Sequence, residues 1–131
     1  MVGAATQAFE DTLAYLKERV QFGVSIGSFQ ALQHRAARLF TEVSLARSAM
    51  LAAASAVDEE PDGVAMMASM AKSQCADTFV HVAQEGVQMH GGVGVTDEYD
   101  IGLFLKRARA TDVLFGDSAW HRRRWAELSG Y

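Results

Sequence analysis

The chain has 131 residues, half of them apolar and 21% charged, with a formal net charge of −4. That is the size of one domain able to bury a core, and the acidic balance argues against a general nucleic-acid binder, which is normally basic. No apolar run approaches the roughly 18 residues that a membrane span needs; the one cysteine, Cys75, excludes an internal disulfide framework and suits a reducing cytoplasm.

In chain order, the first twenty residues carry Glu10, Asp11, Lys17, Glu18 and Arg19 among apolar positions, which is not a signal-peptide pattern. A first helix is expected over 4–20, with Phe9, Leu13, Leu16 and Val20 on one stripe. Gly23, Ser25 and Gly27 break it. The next stretch places Phe29, Leu32, Ala36, Leu39, Val43, Ala46, Met50, Ala53 and Val57 three and four apart without a slip. Such a heptad seam predicts side-by-side packing as in a four-helix bundle. The acids before Pro61 suit the start of a third helix, where the macrodipole favours negative charge and proline is tolerated. That helix is expected over 61–90, burying Val64, Met67, Ala71, Cys75, Thr78 or Phe79, Val82 and Gly86 or Met89. It stops at Gly91-Gly92-Val93-Gly94. A fourth helix is expected from Thr96 as N-cap, carrying Ile101, Phe104, Leu105 and Ala108, and a short fifth covers 117–128. No strand alternation, internal repeat or low-complexity tract stands out. The expectation is an all-α single domain over 1–131: a four-helix up-and-down bundle with a short extra C-terminal helix.

Two places carry candidate chemistry. Gln88-Met89-His90-Gly91-Gly92 lets bare backbone approach a ligand, and its N–H groups can meet phosphate; a plain glycine helix stop is the commoner origin of such a loop. Arg19-Val20-Gln21-Phe22-Gly23 offers a cation for phosphate and a ring for stacking; helix-dipole complementation and core packing are its ordinary alternatives. The basic residues Lys106, Arg107, Arg109 and His121-Arg122-Arg123-Arg124 read as a solvated face or subunit contact. His81 and Cys75 read as packing residues. The histidines form no metal pattern, and the Glu-x-x-His pairs of a di-iron bundle are missing. No nucleophile elbow, P-loop or dinucleotide fingerprint is present.

Taken together, Tyr15-Leu16-Lys17-Glu18-Arg19-Val20-Gln21-Phe22-Gly23, Phe29-Gln30-Ala31, Gln88-Met89-His90-Gly91-Gly92-Val93-Gly94-Val95-Thr96, Glu98-Tyr99 and Lys106-Arg107-Ala108 resemble the C-terminal helical domain of the acyl-CoA dehydrogenases over nearly the whole chain. The resemblance implies a longer parent that oxidises acyl-CoA thioesters to trans-2-enoyl-CoA with FAD and passes electrons to an electron-transfer flavoprotein. It implies bundles packed together in a homo- or hetero-oligomer, each helping to hold a neighbour's FAD. On matching positions Arg19, Phe22 and Gln30 would contact that FAD, and Gln88, Gly91 and Gly92 would hold its adenosine-diphosphate part.

One position departs from the family. Where members carry a catalytic glutamate before Gly-Thr-Ser, this chain reads Leu114-Phe115-Gly116-Asp117-Ser118. Phe115 cannot take a proton, so no catalytic residue is assigned, and Asp117 replaces a threonine that would serve the subunit's own FAD. Three explanations compete: a base on the domain's first helix upstream of residue 1, Asp117 as a displaced base, or a parent that is the non-catalytic subunit of a heteromer, as in some actinobacterial members. The third is preferred, because the residues serving a neighbour are kept while those serving the chain's own site are altered. On this reading the isolated chain is inactive. The alternative is a helical oligomerisation module with no cofactor role.

Overall fold

A computed structural model describes residues 1–59 and 61–131. Among the described residues five α-helices carry the fold: α1 (Val2–Glu18), α2 (Gln30–Glu59), α3 (Val64–His90), α4 (Ile101–Val113) and α5 (Ser118–Leu128). Between α1 and α2 lies an antiparallel pair of two-residue strands, β1 (Val20–Gln21) and β2 (Val24–Ser25). Among the described residues no helix is long and apolar enough to cross a membrane.

The helices run up, down, up, down. Antiparallel α2 and α3 are fixed by the Arg35–Glu85 and Glu42–His81 pairs and by Cys75, whose thiol donates to Ala46 O at 3.5 Å. Burial pushes the Cys75 thiol up, so it stays protonated and unreactive. Helix α1 runs parallel to α3, with Ala5 against Phe79 at one end and Tyr15 on His90 at the other. Helix α3 is central, packing on α1, α2, α4 and α5. That explains its composition. Ser69, Ala71, Ser73, Ala76, Thr78, Ala83 and Gly86 are all buried, and small side chains let four neighbours approach. The main core joins Ala8, Phe9, Leu16, Leu39, Val82, Met89 and Ile101.

The expected bundle with its extra helix is the one observed, with four local differences. First, α1 ends at Glu18, and Val20 leaves the stripe for β1, where it is 57% exposed. Second, the seam of α2 holds through Ala46 and then shifts. Met50 and Val57 turn outward, while Ala56 is buried and Ala52 and Ala53 are half-buried. A 3.6-residue helix drifts about 20° per heptad from a strict seven-residue repeat, and this helix is long enough for the drift to show. Third, Thr96 caps no α-helix: its hydroxyl donates to Val93 O at 2.7 Å, closing the 3₁₀ turn Gly91–Val95, and α4 begins only after Asp100. Fourth, His81 is exposed and pairs with Glu42, so it is not a packing residue.

Candidate functional site

The hairpin after α1 is built around its tip. Arg19 leaves the helix in extended geometry (φ −69°, ψ 121°), and its carbonyl accepts from Ile26 N–H at 2.8 Å. Val20 pairs with Ser25 and Gln21 with Val24, leaving Phe22 and Gly23 as a two-residue turn with φ of 56° and 79°. Positive φ at both positions marks a type I′ turn, which prefers Asn-Gly. A phenylalanine there is strained by about 1 kcal/mol or more. Its ring returns little to the fold: it is 92% exposed and meets Phe29 edge-on at 6.1 Å. The base of the hairpin is tight. Ser25 Oγ donates to Leu16 O at 2.9 Å, and a Cβ on Gly27 would sit 2.8 Å from that same carbonyl.

The second component follows α3. Gly91 adopts φ 66°, ψ −143°, a conformation open to little except glycine. A Cβ on Gly91 or Gly92 would meet nothing within 4 Å, whereas one on Gly94 would stand 2.6 Å from Val87 O. The loop is therefore pressed onto α3 at Gly94 and bare toward the outside at Gly91 and Gly92. Gln88 is exposed on the preceding turn, and Gln30 is exposed at the start of α2.

Aromatic packing draws these parts to one end of the bundle. Tyr15 stacks on His90 with centroids 4.2 Å apart, and its hydroxyl donates to His90 O at 3.2 Å. Tyr99 meets both rings edge-on at 5.2 and 5.3 Å. His90 Nδ1–H donates to Gly86 O at 2.7 Å, which orients the ring. A shallow cleft lined by Tyr15, Glu18, Arg19, Val20 and Tyr99 opens beside this cluster. Arg19 is exposed and forms no ion pair among the described residues. An exposed cation, an outward ring, two amide side chains and uncovered backbone suit a nucleotide pyrophosphate with its attached ring system.

At the opposite end, Phe115 stands on the turn between α4 and α5, 87% exposed and with φ 61°. Asp117 serves the fold: its Oδ1 accepts from Trp120 N–H at 2.7 Å, capping α5. Asp before a helical run is an N-cap signal that the sequence carried. The basic run is not simply solvated. Arg122 pairs with Asp77, and Arg124 donates to Ser69 Oγ at 3.0 Å while lying over Trp120. These contacts fasten α5 to α3. The Tyr15–His90–Tyr99 cluster has no sequence signal, since its members meet only through the fold.

The architecture is an up-and-down helical bundle with a double glycine after its third long helix and an extra C-terminal helix. The chain belongs to the acyl-CoA dehydrogenase C-terminal domain family, which it matches over residues 1–129. It is 39% identical over 123 residues to acyl-CoA dehydrogenase IpdE2 of Mycolicibacterium smegmatis, covering 94% of this chain and 38% of that protein. Among solved structures it superposes on a chain of the ChsE4-ChsE5 complex from Mycobacterium tuberculosis with a TM-score of 0.91 and 30% identity, covering 99% of this chain and 35% of that one. Butyryl-CoA dehydrogenase from Megasphaera elsdenii matches with a TM-score of 0.91 and 27% identity, over 98% of this chain and 33% of that one. The chain thus spans about a third of the length of these relatives.

Proposed function

We propose that this chain is the C-terminal bundle of a longer FAD-dependent acyl-CoA dehydrogenase and completes the flavin site of a neighbouring subunit. Arg19 and the backbone of Gly91 and Gly92 would face the pyrophosphate, Gln30 and Gln88 would donate from their amides, and Phe22 would lie against the flavin nucleotide. When bound, FAD supplies the hydride acceptor for α,β-dehydrogenation of an acyl-CoA thioester, with an electron-transfer flavoprotein as the onward acceptor. The residues of this chain bind and orient; none of them moves the substrate proton.

The observation that carries the reading is Phe22. Its ring is held in open solvent by a strained turn, near an arginine that has no ion pair among the described residues. A fold keeps such strain where something outside the chain uses it. Phe115 extends the reading. At the position of the family's glutamate it leaves no carboxylate, which supports a non-catalytic subunit paired with a catalytic one. The ChsE4-ChsE5 complex is the relative that makes a heteromer the arrangement to test.

The test is flavin per chain in the natively purified parent, with and without Arg19→Ala. One FAD for every two chains of different kinds, loosened at least tenfold by the substitution, is the expected result. Flavin content indifferent to Arg19 would reduce the bundle to an oligomerisation module. One FAD in each identical chain would make the parent a homo-oligomer with its base elsewhere.

A further inference from the structure

The turn from α4 to α5 is held by side chains that grip only its backbone. Gly116 N–H donates to Val113 O at 3.3 Å, with Leu114 at φ −67°, ψ 124° and Phe115 at φ 61°. This is a type II turn, whose third position ordinarily belongs to glycine. Lys72, from the N-terminal third of α3, donates from Nζ to Asp112 O and to Gly116 O, both at 2.8 Å. His121, from the first turn of α5, meets Phe115 O at 3.1 Å through Nε2. A carbonyl only accepts, so the proton sits on Nε2. His121 is buried, and its Nδ1 has no hydrogen-bond partner among the described residues. The other buried side-chain atom in that condition is Asp112 Oδ1, at the same junction. Unmet buried polar atoms are unfavourable and gather where a fold serves something besides stability. Gly116 completes the fit: at φ 101°, a Cβ there would stand 2.8 Å from the Trp120 ring and 3.3 Å from His121 Nε2.

We infer that Lys72 and His121 are positioning residues that fix the 113–116 turn, so that the side chain at 115 is aimed out of the bundle whatever its chemistry. None of the bonds involves the ring of Phe115. The inference deepens the proposed function, since residue 115 stands there in the place of a proton acceptor. It means that the support for a base is intact in a chain that has lost the base itself. A carboxylate introduced by Phe115→Glu would be held as the phenyl ring is.

The experiment is amide hydrogen exchange at Gly116 in the full chain, in whatever assembly it purifies. Lys72→Met and His121→Leu are each expected to speed exchange at Gly116 at least tenfold while Phe79 and Val82 in α3 keep their protection. Lys72→Arg and His121→Gln, which retain a donor, should restore it. Phe115→Glu should exchange like the unaltered chain. Unchanged exchange in Lys72→Met and His121→Leu, or loss of protection that the donor variants do not rescue, would overturn the assignment, as would a Phe115→Glu turn that opens. Flavin plays no part in the readout, so a failure here is separate from a failure of the flavin stoichiometry.

Discussion

Phe22 sits at φ 56° with its ring 92% exposed, so its place in the turn costs the fold more than its packing returns. Asparagine tolerates the left-handed region and is the favoured first residue of a type I′ turn. The ring is almost fully exposed, so its removal forfeits little burial. Phe22→Asn is therefore expected to stabilise the chain by about 0.5–1 kcal/mol, read as a higher denaturant midpoint, and to weaken flavin retention in the assembled parent. A midpoint that falls would mean that the Phe22–Phe29 contact matters more than the strain. At this scale the sequence was readable only by motif. Arg19, Phe22 and the double glycine stood out because their pattern is shared with a family. Nothing in the string announced that Phe22 would take positive φ or that Tyr15 would lie on His90. Those facts come from a hairpin register and from contacts across 75 positions.

At the scale of elements, local periodicity was enough for the bundle: every predicted helix exists, and the order up, down, up, down follows from short connections. What escaped was set by geometry with no local signature. Two-residue strands carry no alternation, so β1 and β2 were invisible, and the seam of α2 shifted because a straight helix does not keep a seven-residue register. Energetics at this scale can be tested where α2 meets α3. Arg35 donates to Glu85 through two nitrogens, at 2.5 and 2.9 Å. The Arg35 hydrogen bonds hold the Glu85 carboxyl below its ordinary value of 4.5. A depressed carboxylate contributes stability above the unfolded-state pKa and loses it as pH falls through the folded one. With both side chains partly exposed, the contribution is about 1 kcal/mol or less. Glu85→Gln should thus be less stable than the unaltered chain at about pH 7, and the gap should close as pH falls below the ordinary carboxyl value of 4.5; a gap independent of pH would assign the loss to packing. Phe79 offers the apolar counterpart. It is 1% exposed and packs with Ala5, Ala83 and Ala108, and Phe79→Ala is expected to lose about 3–5 kcal/mol, measured by the same denaturant titration.

For the molecule as a whole, the outer surface of α2 raises the last question. Phe40, Leu45, Leu51 and Val57 are all more than half exposed. Phe40 and Leu51 are three helical turns apart and share one face. Apolar side chains spread singly need no explanation; Leu45 and Val57 point elsewhere around the helix, so the contact surface to test is the short row of Phe40 and Leu51. A net charge of −4 is too small to keep copies apart. The chain alone is therefore expected to form dimers or tetramers at micromolar concentration, seen by sedimentation equilibrium. Leu51→Lys, which places a charge in that row without touching the core, should raise the dissociation constant at least tenfold, equivalent to about 1.4 kcal/mol, while leaving helicity unchanged. The unaltered chain remaining monomeric at high concentration would mean that this face is covered by some other partner, and the row would then have to be sought at an interface with a different chain.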